Sequence, residues 1–214
     1  MLAISVRWLG HASFQIKSNG KNIYIDPYEG TYVEKADLIL VTHSHFDHCD
    51  PSKIDKVRKD DTTIIAPADC ASKIKGKIKS LKPGEKTAVG NIAVEAVYAY
   101  NCKRFRSPGN PFHPKSLGVG YIIRIGDKTI YHAGDTDFVP EMKELGNISL
   151  ALLPSGGTYT MDNLEAAEAA LAINPQIAVP MHRWTTNPED FRKEVERRSA
   201  VKVVVLEPGE EYML

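Results

Sequence analysis

The segment LILVTHSHFDH, residues 38–48, decides how the rest of this chain is interpreted. It opens with an apolar run, which is typical of a buried strand. Side chains that bind metals then follow closely: His43, His45, Asp47 and His48. Because open α/β sheets bind ligands at strand ends, the segment predicts a metal site at one sheet edge. Chance assembly of H-x-H-x-D-H behind such a strand is rare, which disfavours a merely solvated histidine loop.

The spacing within this motif is compatible with two adjacent metal ions. Side chains alternate along an extended chain, so His43 and His45 point the same way. Asp47 and His48 lie where the chain turns toward a helix predicted from Pro51, and they can reach a second point close by. Imidazole suits zinc, iron and manganese, and carboxylate is the usual bridging partner.

Two later segments place further metal-binding side chains at the ends of strands. His132 and Asp135 follow the strand residues 129–131, and His182 follows another predicted strand at 177–179. Three strand ends therefore offer histidine or aspartate to one edge of a sheet.

Strands lead each half of the chain and helices follow them. The strands are predicted at 4–8, 13–17, 22–26, 38–42, 63–66, 92–97, 120–125, 128–132, 150–153, 177–179 and 201–206. A helix is predicted at 51–59 with Asp50 as its N-cap, and another at 68–74. Two more are predicted after the capping box that Asp162 and Glu165 form and after the Asn187 cap. Without a linker or repeat, residues 1–214 are expected to form one layered α/β domain, with sheets at the centre and helices outside.

Composition excludes several classes of function. The 27 Lys and Arg balance 27 Asp and Glu, so the zero net charge argues against a nucleic-acid binder and a polybasic membrane-surface protein. No apolar run reaches the roughly 18 residues of a membrane span, and the start of the chain lacks signal-peptide features. The cysteines Cys49, Cys70 and Cys102 form no C-x-x-C pair, which favours a cytoplasmic protein with reduced thiols.

The H-x-H-x-D-H motif, the later Gly-Asp and the final histidine resemble the metallo-β-lactamase superfamily of metal-dependent hydrolases, over nearly the whole chain. Within it, residues 8–14, 25–27, 132–136 and 153–157 are similar to the branch that contains L-ascorbate-6-phosphate lactonase. The resemblance implies a four-layer αββα sandwich with metal ions at one edge.

The resemblance also implies a ligand set: His43 and His45 for a first ion, Asp47, His48 and His182 for a second, and Asp135 between them. The family places one more histidine after a strand between the first motif and the Gly-Asp, but the predicted strand at 92–97 has none at its end. We expect the following loop to fold back and supply His113. The alternative is a loop histidine held between two prolines, with the first ion weakly bound or lost.

Other histidines and acids have supporting roles in this interpretation. His11, in a turn after the first strand, is either a catalytic acid or substrate contact at the rim of the site, or a structural turn residue. Asp26 ends a buried strand, where an unpaired acid is costly, so we expect it to bind the ring N–H of a metal-binding histidine. His132 is expected to support the site, and Asp137 to be a turn residue.

The loop that carries His113 and the loop after the strand at 150–153 provide candidate substrate contacts. Lys103, Arg104 and Arg106 could attract an anionic substrate such as a phosphate ester, with a solvated loop as the alternative. Tyr159 is a candidate for binding substrate or assisting the leaving group.

The resulting hypothesis is a metal-dependent hydrolase with one or two divalent ions, Zn²⁺ or Mn²⁺, that bring a bound water to a pKa of about 7. Asp47 is expected to be both a ligand and the residue that orients the attacking hydroxide. The expected substrate is a small, anionic ester, lactone or phosphodiester, with no nucleic-acid or membrane partner, and a homo-oligomer remains open. The alternatives are a di-iron redox protein of the same fold and a non-catalytic metal-binding protein.

Overall fold

The structure is a computed structural model, and it describes residues 3–214. Its strands are β1 (Ile4–Gly10), β2 (Ser13–Ser18), β3 (Lys21–Ile25), β4 (Leu38–Leu40), β5 (Thr63–Ile65), β6 (Ile78–Lys79), β7 (Lys86–Val89), β8 (Ile92–Ala99), β9 (Phe105–Ser107), β10 (Asn110–Pro111), β11 (Gly118–Ile125), β12 (Lys128–His132), β13 (Leu150–Pro154), β14 (Ile177–Met181), β15 (Lys202–Val203) and β16 (Glu211–Met213). The α-helices are α1 (Pro51–Val57), α2 (Asn163–Ile173) and α3 (Pro188–Arg198), and single 3₁₀ segments form at Ala68–Cys70 and Pro140–Glu144.

The strands form two seven-stranded sheets, ordered β16-β1-β2-β3-β4-β5-β6 and β15-β14-β13-β12-β11-β8-β7. Each sheet is antiparallel on one side and parallel on the other, with β3 to β6 and β12 to β15 forming the parallel portions. The hairpin of β9 and β10 stands apart from both sheets.

The main core lies between the two sheets. Alternate strand residues point inward, so Ile16 and Leu40 of one sheet belong to the same buried apolar cluster as Ile123 and Leu152 of the other. These four side chains are fully buried. Burial of apolar area on this scale is the dominant favourable contribution to folding.

The opposite faces of the sheets are covered by helices. Ile39 of β4 packs in a cluster with Ile54 of α1, whereas Leu153 of β13 shares a cluster with Ala167 of α2 and Phe191 of α3. Each sheet thus has one face on the central core and one on a helical layer. The predicted four-layer αββα sandwich is confirmed.

Helix starts follow the predicted caps. The carboxylate of Asp50 accepts the backbone N–H groups of Ser52 at 2.8 Å and Lys53 at 3.3 Å, and Asp162 accepts that of Glu165 at 2.8 Å. These bonds satisfy donors that have no partner inside the helix. The first helix ends at Val57, two residues before the predicted end.

Other boundaries differ from the sequence prediction. The helix predicted at 68–74 is only a 3₁₀ turn, and the strand predicted at 201–206 shortens to Lys202–Val203. The chain then turns at Gly209, and β16 pairs with β1 from the far end of the sequence. Within residues 3–214 no helix is long and apolar enough to cross a membrane.

Candidate metal centre

The loop after β4 folds tightly and brings two histidines to one point. The backbone N–H groups of His48 and Cys49 both donate to the carbonyl of His45, at 3.1 and 2.8 Å, which closes the turn. His43 Nε2 then lies 3.1 Å from His45 Nδ1. Together with His113 they form the first cluster, in which the three ligand atoms lie within 4.8 Å of one another.

His113 reaches this cluster because the β9–β10 hairpin folds back over the end of β8. The Oδ1 atom of Asn101 accepts the backbone N–H of His113 at 2.8 Å and lies 2.8 Å from its ring Nδ1. The ring is thereby oriented with Nε2 toward the centre, 3.3 Å from Asp135 Oδ2. The structure places His113 where the loop was expected to supply a ligand.

A second cluster lies beside the first and contains His11, Asp47, His48 and His182, again with ligand atoms within 4.8 Å of one another. His11 Nε2 is 3.2 Å from Asp47 Oδ2, and the ring centroids of His11 and His182 are 3.9 Å apart. Both histidines have a left-handed backbone, with φ of 50° and 46°. Such strain in residues other than glycine is typical of functional sites.

The position of His11 differs from the expected rim of the site. The sequence predicts His11 as a catalytic acid or substrate contact at the rim of the site, or as a structural turn residue, and not as a metal ligand. In the structure its carbonyl accepts the backbone N–H of His182 at 2.9 Å. That bond joins the turn after β1 in one sheet to the end of β14 in the other. The contact between residues so far apart in the chain has no local sequence signal beyond a histidine that follows Gly10.

Asp135 lies between the two clusters. Its Oδ1 is 3.5 Å from His48 Nε2, and its Oδ2 is 3.3 Å from His113 Nε2 and 3.2 Å from His182 Nε2. The preceding Gly134 has φ of 64°, a conformation that lets the chain leave β12 and direct the carboxylate inward. Asp135 would therefore be able to contribute a ligand oxygen to ions held by either cluster.

Polar partners hold the outer nitrogens of the ligand rings. His48 Nδ1 lies 2.7 Å from the fully buried Asp26 carboxylate, which also accepts the backbone N–H and the hydroxyl of Thr42 at 2.7 and 2.6 Å. His43 Nδ1 is 3.0 Å from that same hydroxyl. Asp26 therefore makes the contact expected of it, which fixes the tautomer and orientation of His48. His132 instead binds the carbonyl of Ala12 at 2.9 Å and supports the fold.

Burial and charge set the protonation of the centre. Burial, reinforced by neighbouring histidines, holds the pKa of His43 well below its usual range and lowers that of His45 to about 4. Burial opposes ionisation of Asp135, yet the rings of His182 and His48 hold its pKa well below the ordinary value. Burial likewise opposes ionisation of Asp47, but the ring of His11, whose Nε2 lies 3.2 Å from Asp47 Oδ2, lowers its pKa to about 2. The neutral rings of His43 and His45 and the ionised carboxylates are in the protonation states that bind divalent cations. At His48 the effect of burial is outweighed by Asp135 and Asp26, which raise its pKa well above the usual range, so a cation there would have to displace a proton.

The donor atoms at the centre fit a metal ion. Among the described residues, several buried atoms there lack a hydrogen-bond partner: His11 Nε2, His48 Nε2, His113 Nε2 and Asp135 Oδ1. An unsatisfied buried polar atom costs about 1–3 kcal/mol, so their convergence at one place calls for a cation.

A cleft of about 360 Å³ opens above the two clusters. Its walls are aromatic and basic: Phe46, Arg106, Phe112, Tyr159 and Trp184. His45, Asp47, His113, Asp135 and His182 also line it. The structure thus places Tyr159 beside the candidate metal ligands, where a substrate contact was expected.

Arg104 is not part of this cleft, contrary to the role expected for it. Its Nη1 lies 2.6 Å from Asp137 Oδ1 and 2.5 Å from Glu165 Oε2, and its Nε donates to the carbonyl of Gly157 at 3.0 Å. The charge is already neutralised inside the protein. Asp137 is also more than a turn residue, since its Oδ2 accepts the backbone N–H groups of residues 102–104.

The family model for the beta-lactamase superfamily domain matches residues 5–182. The chain belongs to this superfamily. It is 32% identical to a UPF0173 metal-dependent hydrolase of Methanopyrus kandleri, over 97% of this chain and 98% of the relative, and 37% identical to one of Pyrococcus abyssi, over 99% and 100%. Membership places the chain among the metal-dependent hydrolases, and the lactonase-like branch stays a prediction.

Solved structures agree with this assignment. A structure from Parabacteroides distasonis described as a metal-dependent hydrolase superimposes with a TM-score of 0.88 at 36% identity, covering 94% of this chain and 92% of that one. Igni18, a metallo hydrolase from Ignicoccus hospitalis, gives a TM-score of 0.81 at 27% identity, covering 99% and 98%.

Proposed function

We propose that this enzyme hydrolyses a small anionic ester, lactone or phosphodiester with two divalent cations, Zn²⁺ or Mn²⁺, held by the two clusters. The observation that carries the proposal is the convergence of unsatisfied buried ligand atoms at the floor of an open cleft. A purely structural cluster of histidines has no need of a cleft of ligand size above it.

The proposed ligands are His43, His45 and His113 for the first ion, His11, Asp47, His48 and His182 for the second, and Asp135 between them. Bound cations of this kind lower the pKa of water and polarise carbonyl or phosphoryl oxygens.

Residues of the chain supply orientation and hydrogen bonding. Asp47 has a side chain that is 18% exposed, lines the cleft and is ionised at neutral pH, so it can accept a hydrogen bond from an attacking water. We assign His11 to holding the second ion, in place of proton donation, because its Nε2 has no hydrogen-bond partner and lies among the other ligand atoms of the second cluster. The exposed phenol of Tyr159 can donate to the leaving group.

The test is hydrolysis by the metal-loaded protein of 4-nitrophenyl acetate, γ-butyrolactone and bis(4-nitrophenyl) phosphate. We expect turnover of at least one compound and a loss of roughly 100-fold in His45→Ala, in line with the cost of removing key catalytic interactions. Arg197→Gln, on the exposed side of α3, is the matched control. Full metal loading without turnover of any of the three would contradict the proposal, and bound iron with a visible absorption band would favour the di-iron alternative.

We also propose a cytoplasmic location and a single domain that acts on a small molecule, without nucleic-acid or membrane partners. The free thiols of Cys49 and Cys70, both buried, support a reducing compartment. Fractionation of cells that produce the protein tests the location.

A further inference from the structure

The mouth of the cleft exposes a group of large aromatic side chains. Phe46 is 74% exposed, Trp184 59% and Tyr159 41%, and all three line the cleft above the candidate metal ligands. Single exposed apolar residues are ordinary, but several large ones around the mouth of one pocket indicate a binding surface. These rings therefore offer a contact area for a bound molecule.

The aromatic walls are held in place by the fold. Trp184 has φ of 46°, and its ring lies edge-on to His11 and His182, at centroid distances of 5.3 and 5.5 Å. A Cβ on Gly156 would lie 2.6 Å from Trp184 Cδ1, so only glycine leaves room for the indole there. Trp184 is thus fixed beside the second cluster.

The other wall is an aromatic pair, Phe112 and Tyr159, beside the β9–β10 hairpin. Phe112 packs edge-on against Tyr159 at a centroid distance of 4.8 Å, and the guanidinium of Arg106 lies 5.2 Å from the Phe112 ring. A cation over an aromatic face is attracted by the ring quadrupole, which keeps the charge at the cleft.

Arg106 is the only lysine or arginine that lines the cleft, and within residues 3–214 it makes no ion pair. Its neighbour Arg104 is neutralised by Asp137 and Glu165. The two arginines therefore differ in function: one holds the fold, and the other presents an unneutralised charge at an apolar mouth. A guanidinium in such a place suits a carboxylate, phosphate or phosphonate.

We propose that the cleft selects a small substrate that combines an aromatic ring with an anionic group. The aromatic ring of the substrate packs between Trp184 and the edge-on pair of Tyr159 and Phe112, and its anionic group pairs with Arg106. The volume of about 360 Å³ lies near the lower end for ligand sites, which suits a molecule with one ring. This inference rests on the proposed hydrolase function, since it names the substrate class of the same site.

The first test compares two anions that differ only in their apolar group. We expect calorimetric titration of the metal-loaded protein to give phenylphosphonate about ten-fold tighter binding than methylphosphonate, because the ring buries apolar area and contacts the aromatic walls. Trp184→Ala should reduce this ratio to about two- or three-fold. The control is Phe105→Ala, which removes an aromatic side chain of 44% exposure from β9, outside the cleft lining. This variant should leave the ratio unchanged.

The second test concerns the charge. Arg106→Gln should weaken both phosphonates by about ten-fold while their ratio stays the same, and Arg197→Gln should change neither. Equal binding of the two phosphonates by the wild type would overturn the proposal, whether or not esters are hydrolysed. A clear preference for the phenyl compound without any hydrolysis would instead count against the proposed function alone.

The alternative explanation for the exposed rings of Phe46, Tyr159 and Trp184 is an interface between copies of this chain. Sedimentation of the wild type and Trp184→Ala separates the two. An oligomer that dissociates in the variant, with unchanged phosphonate binding, would overturn the substrate proposal. The same mass for both proteins, with a reduced phenyl preference in the variant, supports it.

Discussion

Asn101 holds His113 through one side-chain oxygen, which accepts the backbone N–H at 2.8 Å and lies 2.8 Å from ring Nδ1. In turn, the backbone N–H of Asn101 donates a hydrogen bond of 2.8 Å to the carbonyl of His113. These bonds bring a histidine from the hairpin back to the end of β8, where the strand itself offers no ligand. The metal centre therefore depends on a loop contact as much as on the strand ends.

Asn101→Leu should weaken zinc binding at the first cluster by about 10- to 100-fold, because loss of a partner that orients a ligand typically costs that much affinity. Competition with a chromophoric chelator measures it. Binding of the second ion should change much less. Asn163→Leu, which alters a half-buried asparagine at the start of α2, far from the ligands in sequence, is the control. Unchanged zinc affinity at both sites in Asn101→Leu would contradict the role of Asn101 in orienting His113 as a ligand.

Asp26 provides a second test of ligand orientation. Asp26→Asn keeps the size of a buried group but removes the charge that pairs with His48, so we expect zinc affinity to fall by at least ten-fold. The fold should lose about 2–4 kcal/mol, since a buried ion pair is broken. Urea unfolding and zinc titration measure the two effects. Asp50→Asn, at the half-buried cap of α1, should cost about 1 kcal/mol or less and leave zinc binding intact. A similar loss in both variants would argue against a specific role of Asp26.

Arg104 should prove structural. Arg104→Gln leaves the buried carboxylate of Asp137 without its cation, although backbone N–H groups still bind it, so the free energy of unfolding should fall by roughly 2–4 kcal/mol. At a temperature where the variant is folded, its binding of phosphonates should equal that of the wild type. An unchanged stability together with weakened anion binding would restore the substrate role that the sequence suggested.

Asp37 gives a prediction for the pH dependence of stability. Burial opposes its ionisation, but the backbone N–H of Asn22 and the amines of Lys59 and Lys21 lower its pKa to about 2 from 3.8. A depressed folded pKa means that this stabilisation is present above pH 3.8 and is lost as the pH falls toward 2.

Asp37→Asn should therefore cost about 1 kcal/mol at neutral pH, allowing for solvent screening, and about half of that near pH 3. Urea unfolding at a series of pH values measures the difference between the two proteins. Asp55→Asn, an exposed position in α1, is the control. A difference that stays constant across this range would show that the carboxylate charge has no part in it.

Much of the fold followed from local sequence. Apolar runs such as residues 38–41 mark strands, and the side chains of His43, His45 and His48 mark the edge where ligands gather. Helix caps at Asp50 and Asp162 are also local signals. Each of these signals depends only on residues that are close together in the chain, so it can be recognised in a single sequence.

The features that sequence missed depend on distant contacts. His11 enters the second cluster because its turn meets His182 across the two sheets, and β16 pairs with β1 across nearly the whole chain. Arg104 is neutralised by Glu165, 61 residues later, so its charge seemed available when only the loop was considered. The hairpin of β9 and β10 consists of mostly exposed residues and lacks an apolar alternation.

The most direct test of the account is the metal content of the purified protein, measured by plasma mass spectrometry after equilibration with zinc or manganese. The account predicts two ions per chain in the wild type and one in His113→Ala, with both proteins folded. A wild type that retains no ion, or a His113→Ala protein that retains as many ions as the wild type, would contradict it.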